Sequence, residues 1–315
     1  MGIKQLNKLC IKYCRKKTKS IYKIHLSELY GKKICIDTMI YLYKFITTEQ
    51  LLENMFKLCT LFKKYNITPI FIFDGKAPIE KRKELDNRRK KKIEAKLEYD
   101  HLIKSKPICE MNEQELEKLS YLKRNFINIT WENIEDIKLL LTYYGMNYII
   151  ADGEADKLCA KLVNTKKVYA CMSDDMDLLA YGTYRVLRDF DINKQTVVIY
   201  NLNSILYQLN MNIYNFKWLC ILAGTDYNDN ENNIFYYYKL YLRNKLYIHD
   251  TNVYLWLLHN NIIKDDKLYN IYDMFDLNNF DIPFKTIPLK YNKVDKIKLF
   301  NLLEKEYFLN PLSVK

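Results

Sequence analysis

Acidic residues follow short apolar segments at several places along the chain. The clearest example is Val168-Tyr169-Ala170-Cys171, which runs into Ser173-Asp174-Asp175-Met176-Asp177. A β-branched and aromatic run of this kind predicts a buried strand, and the apolar pattern after Asp177 predicts a helix. Carboxylates two residues apart at a strand end are hard oxygen ligands of the kind that Mg²⁺ or Mn²⁺ prefers. Alone the motif is a weak signal, because Asp-rich turns are also common helix N-caps.

The same arrangement recurs along the sequence. Strands are predicted at 33–37, 69–73 and 147–151, each ending in or next to an acid. A helical, basic opening is predicted over 3–30, and helices are predicted between the strands, the first over 39–65. Strands that alternate with helices predict an α/β fold with a mainly parallel central sheet flanked by helices. In such a sheet the carboxyl ends of the strands meet at one edge, where ligands bind. The acids expected at that edge are Asp37, Asp74, Glu154, Asp156, Asp175, Asp177 and Asp226.

Seven carboxylates in close quarters need a counter-charge. Like charges raise one another's pKa, so the group stays ionised only if cations neutralise it. Two divalent cations would do so, and a two-metal site of this type activates water and stabilises the leaving oxygen of a phosphodiester. Lys or Arg side chains nearby would add stabilisation in the transition state.

The net charge of +12 is concentrated in two segments. Residues 1–33 carry a charge of +9 and residues 76–106 carry +6, so the rest of the chain is slightly acidic. The second segment is rich in helix formers and lacks Gly, which predicts a charged helical insertion rather than a loop. Two basic segments favour a polyanion as partner, whereas the alternative is a solvated helical face.

Several classes of protein are disfavoured. The eight cysteines are scattered without a C-x-x-C pair, which argues against a zinc site and a disulfide framework and predicts reduced, mostly buried thiols. Seven glycines form neither a G-x-G-x-x-G nor a Walker loop, and there is no G-x-S-x-G elbow. No stretch approaches 18 uninterrupted apolar residues, so we expect an intracellular protein without a membrane span.

Six ordered motifs resemble one known family. They are Met1-Gly2-Ile3-Lys4-Gln5-Leu6, Ile36-Asp37-Thr38-Met39, Phe73-Asp74-Gly75-Lys76-Ala77-Pro78, Gly153-Glu154-Ala155-Asp156, Ser173-Asp174-Asp175-Met176-Asp177 and Leu222-Ala223-Gly224-Thr225-Asp226-Tyr227. Together they resemble the flap endonuclease/XPG (Rad2-like) family of structure-specific 5′ nucleases over about the first 227 residues. The Lys, Asn, Ile and Tyr content is that of an AT-rich genome, and a large DNA virus is one source we consider for such a divergent member.

The resemblance implies roles for individual residues. All seven acids match metal-site positions, although Asp156 stands where the family has Glu, and two Mg²⁺ ions are the implied cofactor, with Mn²⁺ as a substitute. Lys81 and Arg88 match a basic pair that contacts the reacting phosphate, and Asp175 is included with them as catalytic. Lys81 and Arg88 are seven residues apart and Lys92 lies one turn further, so the spacing places these three basic residues on one helical face. Tyr43 matches an aromatic residue that stacks on a substrate base, for which a core tyrosine is an equal alternative, and Gly2 matches the family's N-terminus near the DNA junction.

The resemblance weakens after Asp226. A glycine-containing helix-two-turn-helix in the family grips duplex DNA and a potassium ion, but Asn233 and Phe235 occupy its two glycine positions here. A left-handed conformation is accessible to Asn and strained for Phe, so we expect the duplex anchor to be rebuilt or lost. No Gln follows Gln208, so the usual C-terminal sliding-clamp motif is not recognisable.

The combined prediction is a PIN-like nuclease fold with a nuclease core at 1–75 and 131–227, a helical arch at 76–130 and a helical C-terminal region at 228–315. The expected function is that of a 5′ flap endonuclease or 5′→3′ exonuclease acting on branched or flapped DNA in replication, repair or recombination. We expect a monomer in the nucleus if the gene is cellular, or at cytoplasmic replication sites if it is viral. The alternatives are a related exonuclease or RNase without flap specificity, and a catalytically silent DNA-binding scaffold.

Overall fold

A seven-stranded sheet lies at the centre of the protein. The computed structural model describes residues 2–14, 18–228, 230, 232–248, 252–263, 268–278, 280–282 and 289–304. The strands are β1 (Ile21–His25), β2 (Lys33–Asp37), β3 (Thr68–Phe73), β4 (Asn147–Ile150), β5 (Ala170–Met172), β6 (Arg185–Asp191) and β7 (Thr196–Asn201). Their order in the sheet is β1-β7-β6-β5-β2-β3-β4. Neighbours from β6 to β4 pair in parallel, whereas β7 is antiparallel to both β6 and β1. The expected mainly parallel sheet is therefore confirmed.

Helices cover both faces of this sheet. In chain order they are α1 (Leu6–Tyr13), α2 (Thr38–Ile46), α3 (Leu51–Lys64), α4 (Arg82–Ser105), α5 (Glu113–Phe126), α6 (Trp131–Tyr143), α7 (Ala155–Asn164), α8 (Asp177–Ala180), α9 (Leu202–Gln208), α10 (Ile213–Leu222), α11 (Ile234–Arg243), α12 (Lys245–Ile248), α13 (Val253–His259), α14 (Leu268–Met274) and α15 (Lys296–Glu304). Short 3₁₀ helices lie at Leu26–Leu29, Ile79–Lys81 and Ile108–Glu110.

The central strands are buried on both faces. In β2, Ile34 and Ile36 belong to the core under α2, α3, α6 and α15, whereas Cys35 belongs to the core under α1, α7 and α10. All three side chains are completely buried. The sequence of a parallel strand covered by helices on both sides is a continuous apolar run, and β2 could therefore be predicted from sequence. The first polar residue of that run, Asp37, therefore lies at the sheet edge.

Two helical predictions in the first 65 residues are wrong in detail. Residues 3–30 were expected to be helical, but α1 ends at Tyr13 and residues 21–25 form β1. This edge strand exists because its full length pairs with β7, from Ile21 opposite Tyr200 to His25 opposite Thr196, a partner nearly 180 residues away. The helix expected over 39–65 is two helices, because the chain turns between Ile46 and Leu51 with Glu49 at a φ of 57°.

The charged segment after β3 forms the expected helices. In α4 only Ala95 is buried, so the rest of this 24-residue helix is partly or fully exposed. Helix α5 packs along it, with the rings of Tyr99 and Phe126 edge to face at 5.1 Å. The described C-terminal part contains helices α11 to α15 joined by non-helical segments. None of the described helices has the length and apolar character needed to cross a membrane. The division into three domains stays a prediction.

Candidate active site

The seven acids selected from the sequence gather at the carboxyl edge of the sheet. Asp37 ends β2, and Asp74 directly follows β3. Glu154 is the N-cap of α7, and Asp156 lies in the first turn of that helix. Asp175 and Asp177 follow β5, while Asp226 lies in the loop after α10. Their charges act on one another: Asp156 is repelled by Asp37, Asp74, Asp175 and Asp177, and Asp177 is also repelled by Asp226.

Short hydrogen bonds hold several of these carboxylates in place. The backbone N–H of Ala155, at the start of α7, donates to Asp74 Oδ1 at 2.8 Å. The backbone N–H of Ile3 donates to Asp177 Oδ1 at 2.9 Å, and Ser173 Oγ donates to Asp37 Oδ2 at 2.9 Å. The N-terminal segment and the sheet therefore both contribute to the position of the acids.

The buried acids resist ionisation when no cation is present. Burial raises the pKa of Asp37, Asp74, Asp156 and Asp177, and repulsion from neighbouring carboxylates raises each pKa further. Asp156 Oδ1 is buried and has no hydrogen-bond partner in the described structure. A buried polar atom without a partner is costly. A divalent cation would satisfy that oxygen and neutralise the cluster, so this donor set fits hard cations such as Mg²⁺.

Lys81 and Arg88 reach the cluster from the base of α4. Lys81 Nζ lies 3.0 Å from Asp226 Oδ2 and forms a second ion pair with Glu154 Oε1, while Arg88 Nη2 donates to Asp226 Oδ2 at 2.6 Å. Burial opposes ionisation of Asp226, but the two cations outweigh it and lower the pKa of that carboxyl. Both side chains therefore lie on one face of this segment and point at the acids.

Lys92 lies further along α4 and contacts Tyr43 rather than the acids. Its Nζ is 5.2 Å from the centre of the Tyr43 ring and donates to Asn128 Oδ1 at 2.8 Å. Tyr43 is 37% exposed, unlike the fully buried Tyr41 on the same helix. The structure therefore places Tyr43 at the surface beside α4, with a cation over its ring.

Gly2 lies against the acidic cluster. Its φ is +75°, and a Cβ built at this position would overlap Oδ1 of both Asp175 and Asp177. Both observations favour glycine, because other residues rarely adopt this conformation and any side chain would displace the carboxylates.

Sequence reasoning missed Tyr227 and the residues around it. The Tyr227 hydroxyl donates to Glu154 Oε2, and its ring packs edge to face against Phe275 at 5.8 Å. Phe275 is buried and also contacts Tyr181, with ring centres 4.8 Å apart. The one available signal was the place of Tyr227 directly after Asp226.

Three cysteines also converge beneath the acids. The sulfur atoms of Cys35, Cys159 and Cys171 lie within 4.8 Å of one another, and all three residues are buried. Their scattered positions in sequence give no sign of this proximity, which arises because β2, α7 and β5 are neighbours in the fold. All eight thiols are free, as expected, and Cys109 is exposed.

The backbone at Asn233 and Phe235 is not left-handed. Asn233 has a φ of −88° and is the N-cap of α11, where its Oδ1 accepts from the backbone N–H of Phe235 at 3.0 Å and of Tyr236 at 3.2 Å. Neither Asn233 nor Phe235 has a positive φ. Phe235 lies in the first turn of α11, where its backbone N–H bonds to the Asn233 side chain, so it does not take the left-handed geometry of a family glycine. That the duplex anchor is rebuilt or lost stays a prediction.

The chain is similar in sequence to known nucleases. Residues 1–95 match the XPG N-terminal domain, and residues 145–226 match the XPG I-region. Flap endonuclease 1 of Glycine max is 32% identical over 248 residues, covering 73% of this chain and 62% of the relative. The probable RAD2-like endonuclease 076L of Invertebrate iridescent virus 3 is 31% identical over 291 residues, covering 73% of this chain and 75% of the relative.

The solved structures show the same fold. The catalytic core of Rad2 in complex with DNA substrate superposes with a TM-score of 0.68 at 20% identity, covering 96% of this chain and 94% of that one. The sheet, the acids at its carboxyl edge and the basic helices above them define a nuclease fold of the PIN-like class. The chain belongs to the flap endonuclease/XPG family. It spans about 62% of the length of the Glycine max relative.

Proposed function

We propose that the protein is a metal-dependent, structure-specific 5′ nuclease that cleaves DNA where a single-stranded flap joins a duplex. One observation carries the proposal: in the described structure Asp156 Oδ1 is buried without a partner among carboxylates of raised pKa, in a cluster whose member Asp226 pairs with Lys81 and Arg88. An acidic site beside fixed basic groups suits hydrolysis of a phosphodiester. We infer the flap substrate from the relatives, two of which are a flap endonuclease and a RAD2-like endonuclease.

The proposed metal ligands are the seven carboxylates, which would hold two Mg²⁺ ions, with Mn²⁺ as a substitute. At such a site the metal supplies an activated water and stabilises the leaving oxygen. Asp175 is a direct neighbour of both Gly2 and Asp177, so it lies where the N-terminus and the cluster meet. It is therefore the residue that we would remove first.

Lys81 and Arg88 would bind the reacting phosphate. Both cations now pair with Asp226, and a phosphate entering between them would exchange one anionic partner for another. Their charges would then stabilise the negative charge that develops on the phosphate oxygens in the transition state. Because Lys81 also contacts Glu154, the same side chain would couple phosphate binding to the position of a proposed metal ligand.

The remaining DNA contacts are proposed at the surface beside α4. Tyr43 would stack on a base next to the scissile phosphate, and Lys92 would contact the DNA backbone after leaving the Tyr43 ring. Gly2 would lie next to the junction because it touches the acids themselves. Helices α4 and α5 form the arch past which the single strand runs, and their exposed basic side chains would attract it.

The test is cleavage of a 5′-labelled double-flap DNA with Mg²⁺, beside samples with EDTA. The variant Asp175→Ala removes one proposed ligand, and Asp152→Ala is the matched control because Asp152 is exposed and precedes the cluster residue Glu154 by only two positions. We expect discrete products near the junction from the wild type and from Asp152→Ala only. Mononucleotides alone would favour an exonuclease, and binding without cleavage would favour a silent scaffold.

A further inference from the structure

A second basic surface lies at the sheet edge opposite the acids. It is a cleft of about 710 Å³, which we call the basal cleft, and its basic lining residues are Lys32, Lys33, Lys166, Lys167 and Arg185. This volume is within the range of about 300–1,000 Å³ that is common for ligand sites. The cleft uses none of the residues assigned to the acidic site.

The two sites are separated by the length of the central strands. Lys33 begins β2 and Asp37 ends it, so the two residues are roughly 13 Å apart at about 3.3 Å per residue. Arg185 likewise begins β6, the parallel strand two places along in the sheet. A ligand in the basal cleft would therefore lie at the amino ends of the strands, away from the acidic cluster.

The positive charge of the basal cleft is not neutralised by any carboxylate in the described parts of the chain. No acid lines it, and none of its five cations forms an ion pair with a carboxylate in the described parts of the chain. Lys81 and Arg88 at the acidic site, in contrast, are both paired. A concave surface of one sign concentrates field lines and attracts an oppositely charged ligand.

Two of the five cations contact an aromatic ring, and two others lie on a defined turn. Lys32 Nζ and Arg185 Cζ lie 5.2 Å and 4.6 Å from the centre of the Tyr169 ring, so this aromatic side chain fixes both. Lys166 and Lys167 are presented by the turn that closes α7, in which their backbone N–H groups donate to Val163 and Leu162. Lys32 and Arg185, which pack on the ring, lose less conformational freedom on binding than unrestrained side chains do.

We propose that the basal cleft binds a segment of single-stranded nucleic acid. The cations would contact successive phosphates, and Tyr184, which lines the cleft and is 41% exposed, would stack on a base. A basic groove with an accessible aromatic ring is the arrangement that binds single strands without sequence preference. An acidic peptide would use the same charges but has no planar base for Tyr184. This site goes beyond the proposed function, because the strand held there lies away from the cleavage site.

The test is fluorescence anisotropy with a fluorescein-labelled oligothymidylate in EDTA, which prevents cleavage. The background is the full chain with Lys81→Ala and Arg88→Ala, so that the arch contributes less to binding. Lys166→Glu/Lys167→Glu changes the basal cleft, and Lys293→Glu/Lys296→Glu is the matched control at exposed lysines outside it. Circular dichroism and thermal unfolding of each variant establish that it is folded.

We expect the cleft variant, but not the control, to bind at least tenfold more weakly. The slope of the logarithm of the association constant against the logarithm of the salt concentration should become shallower by about 0.7 for each phosphate contact removed. Tyr184→Ala should weaken binding by about tenfold, as one lost stacking contact predicts. Equal affinity of the cleft variant and the control would overturn the proposal. The proposal would also be overturned, in favour of an acidic peptide, if oligoglutamate of the same net charge displaced the labelled oligothymidylate and Tyr184→Ala had no effect on affinity.

Discussion

Tyr227 donates a hydrogen bond from its hydroxyl to Glu154 Oε2, while Lys81 pairs with the other oxygen of the same carboxylate. Glu154 is thus held from two sides, by the arch and by the loop after α10. Phe275 packs against the Tyr227 ring and ties this contact to the C-terminal region. A proposed metal ligand therefore has its orientation set by residues that do not belong to the acidic cluster.

Tyr227→Phe should weaken metal binding without unfolding the protein. The variant keeps the ring and its packing but removes the donor to Glu154, and partners of metal ligands typically affect metal affinity by about 10- to 100-fold when removed. The measurement is isothermal titration of the protein with Mn²⁺, together with thermal unfolding.

The matched control is Tyr207→Phe, because Tyr207 is 82% exposed and lies outside the site. Equal Mn²⁺ affinity of Tyr227→Phe and the wild type would show that Glu154 is positioned without Tyr227. A loss of affinity accompanied by a much lower melting temperature would point to a general structural role instead.

The stability of the metal-free protein should fall as the pH rises. Burial and mutual repulsion raise the pKa of Asp37, Asp74, Asp156 and Asp177, so the folded chain binds more protons than the unfolded chain above about pH 4. Wherever the folded state binds more protons, the free energy of unfolding decreases as the pH rises. We therefore expect the free energy of unfolding to fall between mildly acidic and mildly alkaline buffer. Asp226 does not contribute to this loss, because its pKa is lowered.

Urea unfolding in EDTA at several pH values measures this dependence. Added Mg²⁺ should remove most of it, because the cation replaces the protons as counter-charge. Asp156→Asn should reduce the dependence in EDTA, because it removes one repelled carboxylate. A metal-free protein of constant stability over this range would mean that the acids are further apart or better solvated than the structure indicates.

Lys81→Ala and Arg88→Ala should each slow the chemical step. Removal of one preorganised positive group typically costs about 10²- to 10³-fold in rate when the group acts on the transition state. The measurement is the single-turnover cleavage rate at saturating enzyme, with DNA affinity determined separately. Lys90→Ala, an exposed lysine on the same helix, is the control and should affect binding alone. A change in affinity without a change in rate would assign both residues to DNA binding only.

The acidic site could be predicted from sequence because its pattern is local. Each strand is an apolar run that ends near an acid, as in Ile34-Cys35-Ile36-Asp37, and parallel strands bring such ends together whatever the details of packing. Lys81 and Arg88 were implied by the family resemblance, and their helical spacing supported placing them on one face. Their shared partner, Asp226, shows that the expected face is the one turned toward the acids.

Features that depend on distant partners could not be predicted. Strand β1 exists through its pairing with β7, and Cys35 meets Cys159 and Cys171 only because β2, α7 and β5 are neighbours in the fold. Local sequence carries no sign of either relationship. Asn233 is a different case, because its preference for N-caps was available but the glycine pattern of the family directed attention to left-handed geometry instead.

Tyr43→Ala should weaken binding of a flap substrate by about tenfold, whereas Tyr43→Phe should bind as the wild type does, because stacking needs the ring and not the hydroxyl.

Lys92 covers the ring of Tyr43 in the free protein, so a base must displace Lys92 before it can stack. Lys92→Met removes that competitor but also a phosphate contact, and its affinity should therefore depend less on salt than that of the wild type. Anisotropy titrations in EDTA at several salt concentrations separate the two effects. If Tyr43→Ala binds normally but melts at a lower temperature, Tyr43 is a packing residue, and the base-stacking position must lie elsewhere along the arch.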